Sequence, residues 1–162
     1  MQAEIITIGD ELLIGQVVDT NSAWLGRTLG EDGIKVTQIT SIQDDADQIS
    51  RTVNEALARV SIVLVTGGLG PTRDDITKHT LAELFGMRLV RDEQVYETVR
   101  RQLAVRGIAF NELNRGQALV PDGCTVLPNR NGTAPGMWFE RGGKILVSMP
   151  GVPFEMKALV TD

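Results

Sequence analysis

Three glycines, an arginine and two adjacent carboxylates crowd the segment Thr66-Gly67-Gly68-Leu69-Gly70-Pro71-Thr72-Arg73-Asp74-Asp75-Ile76-Thr77. Glycine at Gly67, Gly68 and Gly70 lets a backbone approach an anionic group and turn its N–H groups inward. Arg73 supplies a fork of donors that matches phosphate oxygens, and Thr72 stands beside it as a further ligand-binding candidate. Asp74 and Asp75 are hard oxygen donors of the kind magnesium takes. The combination suggests a metal-assisted phosphate site. It is not a Walker A loop, because no Gly-Lys-Ser/Thr follows, and it is not the dinucleotide fingerprint, because Arg73 stands where a glycine is needed. A tight turn leading into an acidic helix start, favoured by the helix dipole, would use the same residues.

Other polar groups are candidates to join it. Gly9-Asp10-Glu11 follows the first apolar run, with Asp19 and Asn21 further on, and Asp44 follows the second, beside Asp45 and Asp47. Carboxylates converging there would hold a metal or act as acid and base. The plainer alternative is a capping Asp19, solvated loop acids and an acidic helix start. The loop Asn129-Arg130-Asn131-Gly132-Thr133-Ala134-Pro135-Gly136 offers Gly132 and Thr133 to a ligand, or simply connects two elements. Met149-Pro150-Gly151-Val152-Pro153 with Glu155 has the same two readings. His79 is the one histidine, which excludes a His-rich zinc site, and reads as a surface or packing residue. Cys124 reads as structural. Arg100, Arg101 and Arg106 share a helix with Glu93 and Glu97, so they read as a solvated, salt-paired face. Trp24 and Trp138 read as core or interface anchors, and Trp138 with Phe139 would suit an oligomer contact.

These residues need elements to position them. Ile5, Ile6 and Ile8 form a β-branched strand ending at Gly9. Asp19 or Thr20 caps a helix carrying Ala23, Leu25 and Leu29, which Gly33 closes. Residues 36–42 read as a second strand. Asp45 with Gln48 approximates a capping box before a helix that carries Ile49, Val53, Ala56, Leu57 and Val60. Ile62-Val63-Leu64-Val65 is a buried strand running straight into the glycine loop. A helix over about 75–85 stops at Gly86, and another over 92–106 stops at Gly107. Residues 111–121 hold a short helix. Gly136 to Glu140 and Lys144 to Val147, around Arg141-Gly142-Gly143, read as a hairpin. Pro153 opens a last helix. The alternation predicts a three-layer α/β/α domain with a mostly parallel sheet, plus a C-terminal β-hairpin. In such sheets ligands bind at the carboxyl ends of the strands, where the glycine loop, Asp10 and Asp44 all fall.

Composition narrows the function classes. The 162 residues suit one domain, 1–162, possible also as a piece of a longer chain. Sixteen basic residues against twenty-one acidic give a net charge of −5, which disfavours a general nucleic-acid or anionic-membrane binder. Aromatics are only 4%, too few for a base-stacking platform. A single cysteine excludes intramolecular disulfides. No apolar stretch approaches the roughly 18 residues a membrane span needs. With no basic leader at the start, the expected location is cytoplasmic.

Five segments occur together and in order: Gly9-Asp10-Glu11-Leu12, Gly15 with Asp19-Thr20-Asn21, the long glycine–aspartate loop, Asn131-Gly132-Thr133-Ala134-Pro135-Gly136, and Pro150-Gly151-Val152-Pro153 with Glu155-Met156. This pattern resembles the molybdopterin-binding-like domain of the competence/damage-inducible protein A (CinA) family, from Ile5 to Met156. The resemblance implies a fold shared with enzymes that adenylate molybdopterin and insert molybdenum. It implies a pyrophosphatase dependent on magnesium, manganese or cobalt, acting on ADP-ribose and related nucleotide diphosphates, FAD among them. It also admits a binding module for molybdopterin or a nucleotide, without turnover, and a homodimer or homotrimer. The nicotinamide mononucleotide deamidase of many members belongs to a second, C-terminal domain and is not carried over. By resemblance Asp75 and Asp44 are catalytic and Gly67, Gly68 and Gly70 form the phosphate-side loop. Asp10, Glu11, Asp19 and Asn21 line the mouth, with Asp10, Asp74 and Asp75 as metal ligands. Asn129-Arg130-Asn131 departs from the family pattern, which has Asn-Pro or similar before the glycine.

Overall fold

The first strand, β1 (Gln2–Ile8), decides the layering, because its successive side chains point to opposite faces. Ala3 and Ile5 enter one core cluster, and Ile6 and Ile8 enter the other. The computed structural model describes residues 1–69 and 76–162. β2 (Lys35–Ile42) and β3 (Ile62–Gly67) flank β1, both parallel to it. β8 (Lys144–Met149) lies parallel to β3, β7 (Gly136–Arg141) runs antiparallel beside β8, and β6 (Thr125–Leu127) adds an antiparallel edge. The six-stranded order is β2-β1-β3-β8-β7-β6.

Helices cover both faces. α2 (Thr20–Glu31) and α7 (Pro153–Thr161) put Leu25, Leu29 and Met156 against Ala3, Ile5, Leu64, Val147 and Met149. α3 (Ala46–Arg59) and α4 (Ile76–Leu84) put Ile49, Val53, Leu57 and Leu81 against Ile6, Val63, Val65 and Leu146. The fold is therefore the expected three-layer α/β/α domain with a mostly parallel sheet.

Local signals account for the helix starts. Asp19 Oδ1 accepts from the Ser22 amide at 3.0 Å, and Asp45 Oδ1 from the Gln48 amide at 2.9 Å. The Gln48 side chain closes its half of the cap differently from a true capping box: its Oε1 accepts from the Gln43 amide, not from Asp45. Asp92 caps α5 (Glu93–Val105) by accepting from the Val95 amide at 2.9 Å. Glu4, 2% exposed on β1, is held by Arg59 at the end of α3 through two bonds of 2.7 and 2.9 Å, a bidentate arrangement that matches the buried charge.

The expected hairpin forms from β7 and β8, and both strands are integral to the main sheet, because their alternate residues find partners on both sides, Met137 and Phe139 on one and Trp138 on the other. Two expectations change. Phe139 is fully buried and stacks on Phe85, so it is no oligomer contact, while Trp138 packs on the opposite core and donates to Glu140. Asp10–Leu13 form one helical turn, α1, where a loop was expected.

Between α4 and β6 the chain leaves the sheet. β4 (Leu89–Arg91) pairs antiparallel with β5 (Leu119–Pro121), and α5 packs Val95, Val99 and Leu103 on Ala118 and Val120. The short α6 (Glu112–Gly116) is capped by Asn111, inside the expected helical stretch 111–121. Among the described residues no helix is long and apolar enough to cross a membrane.

Candidate functional site

The chain passes from β1 out to β2 and then returns to β3 on the other side of β1, so the direction of winding reverses between β1 and β3. A crevice forms at such a switch point, beyond the carboxyl ends of the strands. Ile8 and Gly67, the last residues of β1 and β3, are register partners there, and a cleft of about 570 Å³ opens over them.

Asp10, Glu11, Asp44, Gly67, Gly68, Gly132 and Thr133, all expected at the site, line this cleft. Gly67 has φ of 104° and Gly68 of 70°, a region L side chains rarely adopt. A β-carbon on Gly67 would overlap the Ile8 carbonyl oxygen, and one on Gly68 the Thr77 hydroxyl. The turn therefore requires glycine at both positions. Asp10 starts α1 directly off the end of β1, and the Gly9 amide donates to Ile42 O at 3.1 Å, fixing this corner to the end of β2. The Asp44 amide meets Asp10 Oδ1 at 3.4 Å, so the two acidic residues stand together at one wall.

Asn21 stands elsewhere. It is 8% exposed, and its Nδ2 donates to Thr66 Oγ1 at 3.1 Å and to Gly151 O at 2.9 Å, while Thr66 Oγ1 donates to Pro150 O at 2.9 Å. It is a strut tying the end of β3 to the turn before α7, and it borders a smaller adjoining recess of about 100 Å³ rather than the main cleft. Asp19 borders the same recess and is engaged as a helix cap. Gly70, Thr72, Arg73, Asp74 and Asp75 lie outside the described residues.

Over residues 4–162 the chain matches the family described as a probable molybdopterin binding domain. A CinA-like protein of Cytophaga hutchinsonii is 51% identical over 160 residues, covering 99% of this chain and 38% of that protein. The chain belongs to the CinA-like molybdopterin-binding domain family. A putative competence-damage inducible protein of Caldicellulosiruptor saccharolyticus is 43% identical over 100% of this chain and 39% of its own length. The domain thus spans under two-fifths of these curated relatives. The solved structure of a CinA protein of unknown function from Thermoplasma acidophilum aligns with TM-score 0.90 at 36% identity, over 98% of this chain and 93% of that one. A molybdopterin biosynthesis protein from Mycobacterium abscessus shares the fold, with TM-score 0.64 at 19% identity over 98% and 85% of the two chains.

The opposite wall of this CinA-family cleft joins the expected loop of Gly132 and Thr133 to Arg106 and Gln117, which local sequence does not mark as site residues. Arg106, expected on a solvated face, ends α5 and lines the cleft, with its Nη2 donating to Asn131 O at 3.3 Å. Its place directly before the stop at Gly107 separates it from Arg100, which pairs with Glu97 at 2.8 Å as expected. Asn129, 5% exposed, shapes the loop that carries Gly132 and Thr133. Its Nδ2 donates to Ala134 O and to Glu155 Oε2, each at 2.8 Å, and its Oδ1 accepts from the Asn131 amide at 3.0 Å. The loop after α6 adds Gln117, 5% exposed, whose amide nitrogen and oxygen both lack a hydrogen-bond partner among the described residues. A buried polar group left so costs about 1–3 kcal/mol.

Asp10, Glu11, Asp44 and Glu155 give this lining four carboxylates against one guanidinium, Arg106, among the described residues. No three metal-binding side chains cluster among those residues. Asp10 and Asp44, linked through the Asp44 backbone amide, nevertheless carry oxygen donors of the type a hard divalent cation prefers. Cys124 behaves as a structural thiol: it packs on the core, and burial pushes its pKa up to about 11.

Proposed function

We propose that the cleft binds a nucleotide diphosphate together with a divalent cation and hydrolyses its phosphoanhydride bond, with ADP-ribose the leading substrate. The observation that carries this reading is the meeting of the glycine-dependent Gly67–Gly68 turn with Asp10 and Asp44 in one cleft at the switch point. Backbone at such a turn seats a phosphate. The charge balance explains why a cation belongs to the reading: a diphosphate would meet mostly carboxylates among the described lining residues, which repel it unless a cation intervenes.

Asp10 would hold magnesium, manganese or cobalt, with Asp74 and Asp75 proposed to complete the set. A cation held there supplies electrophilic polarisation of a phosphoryl oxygen. The chain's own groups would do the rest. The glycine turn fixes the diphosphate, and Arg106 spreads its donors over the outer oxygens. The Asp44 carboxylate orients a water and takes its proton as the oxygen attacks phosphorus. The bridging P–O bond breaks, and ADP-ribose plus water becomes AMP and ribose 5-phosphate. Asp75 is proposed as the second catalytic carboxylate.

Incubation with ADP-ribose or FAD and each of the three metals, products resolved by chromatography, tests the reading. Turnover that Asp44→Asn and Asp75→Asn each reduce by at least about 100-fold, at an unchanged thermal midpoint, is the expected result. Intact substrates in all three metals would remove the activity. The family description, a probable molybdopterin binding domain, supports a second reading, a molybdopterin-binding module; calorimetric binding with no product formed would select that reading without turnover.

A further inference from the structure

We propose that Gln117 reads the edge of a heteroaromatic ring on the ligand, one that carries an amine beside a ring nitrogen. The proposal rests on the reading of the main cleft as the ligand site and extends it from phosphate to base.

The backbone at Gln117 is pinned before any ligand arrives. The buried Lys78 donates its Nζ to Gly116 O at 2.8 Å, the Gln117 amide donates to Asn114 O at 3.2 Å, and the Ala118 amide to Arg115 O at 3.0 Å. On this fixed frame sits a side chain with only 5% exposure and no partner at Nε2 or Oε1 among the described residues. Buried side-chain amides are nearly always satisfied, so one that is not, at a cleft wall, points to a partner that comes and goes. Gln117 lines both the main cleft and a small adjoining recess of about 10 Å³, room for one water at most. A partner larger than water would reach the amide from the cleft, by a shift that uncovers the two amide atoms now shielded from solvent.

The chemistry of the amide selects that partner. Nε2 donates and Oε1 accepts, side by side. A phosphate offers acceptors alone and would leave Oε1 unmet; a cation would leave Nε2 unmet. A ring nitrogen beside an exocyclic amine answers both, as in the bidentate recognition of adenine by glutamine. Adenine carries that edge, and so does a pterin. Leu69 and Ala134 line the cleft next to Gln117 and offer an apolar surface for the ring face.

The test is titration calorimetry on the full chain in magnesium with four probes: ADP, purine riboside 5′-diphosphate, which lacks the amine, inorganic pyrophosphate, and 6-hydroxymethylpterin. Wild type should bind ADP or the pterin, and should prefer ADP to the amine-free analogue by roughly 10-fold or more if adenine is the source. Gln117→Leu should abolish the preference, leave pyrophosphate affinity unchanged, and keep or raise the thermal midpoint, because an unmet polar group is gone. Pterin binding that Gln117→Leu weakens, with no preference between the two nucleotides, assigns the edge to a pterin. Equal affinity for both nucleotides together with no pterin binding overturns the proposal, and that result needs no variant to fold. A Gln117→Leu loss of the same size for pyrophosphate as for ADP also overturns it. Failure of pyrophosphate alone to bind counts against the phosphate reading and leaves the amine preference as the measure of Gln117.

Discussion

The two walls of the cleft are built by different means. One is made of strand ends: Ile8, Gly9 and Gly67 belong to or directly follow β1 and β3, and Asp10 and Asp44 lie two residues beyond the ends of β1 and β2. The other is made by the excursion between α4 and β6, which brings Arg106 and Gln117, and by the loop between β6 and β7, which brings Gly132 and Thr133. That wall rests on a few side-chain bonds, with Lys78 on Gly116, Gln102 on Asn129, Arg106 on Asn131, and Asn129 on Ala134 and Glu155. A wall set by the sheet cannot change without disturbing the core, whereas one set by side-chain struts can be retuned residue by residue. The chemistry common to a fold belongs on the first and the choice of ligand on the second.

The largest effect should come from the sheet-built wall. Gly67→Ala forces a non-glycine residue to φ of 104° and drives its β-carbon onto the Ile8 carbonyl. The conformation alone costs about 1–3 kcal/mol, and the overlap adds to it. Denaturant titration should show that loss, and an unchanged midpoint would mean this wall is as adjustable as the other. Asn129→Ala comes next. It removes three hydrogen bonds at a residue 5% exposed, so about 1–3 kcal/mol of stability should go. Pyrophosphate affinity should fall with it, because the loop holding Gly132 and Thr133 loses its strut. Stability loss with affinity intact would detach that loop from the site.

The same division explains what could be read in advance. Asp19, Asp45 and Asp92 announce their helices because a cap is a contact over three residues. Asp10, Asp44, Gly67 and Gly68 were legible as one site because the parallel sheet sends every strand's carboxyl end to the same edge. The part Asn21 plays as a strut could not be read locally, because its bond to Gly151, 130 residues away, leaves no trace in the neighbouring sequence. The strands β4, β5 and β6 have three residues each, too few for a period of two to register. Arg106 and Gln117 depend on how the excursion folds back, and their neighbours in sequence reveal only a helix end and an apolar run.

Arg106→Gln should leave stability within about 0.5 kcal/mol, since the side chain is exposed. Its mark should be a several-fold weaker pyrophosphate affinity with a shallower dependence on salt. Affinity and salt dependence identical to wild type would place Arg106 back on the solvated face where its helix partners sit.

The smallest effect concerns Cys124, which reports on the excursion without altering it. The thiol lies in the turn between β5 and β6, against the main core. Burial raises its pKa from 9.0 to about 11. A raised value means the folded state favours the neutral thiol, so this contribution to stability is complete below pH 9.0 and is lost as pH climbs through about 11. At neutral pH the thiolate is scarce and shielded, and alkylation should wait for opening. If the strut-held wall opens on its own, Cys124 should react with iodoacetamide at denaturant concentrations below the global unfolding transition. Reaction only at the global midpoint would mean the excursion and the sheet open as one unit, and the two walls would then differ in construction but not in stability.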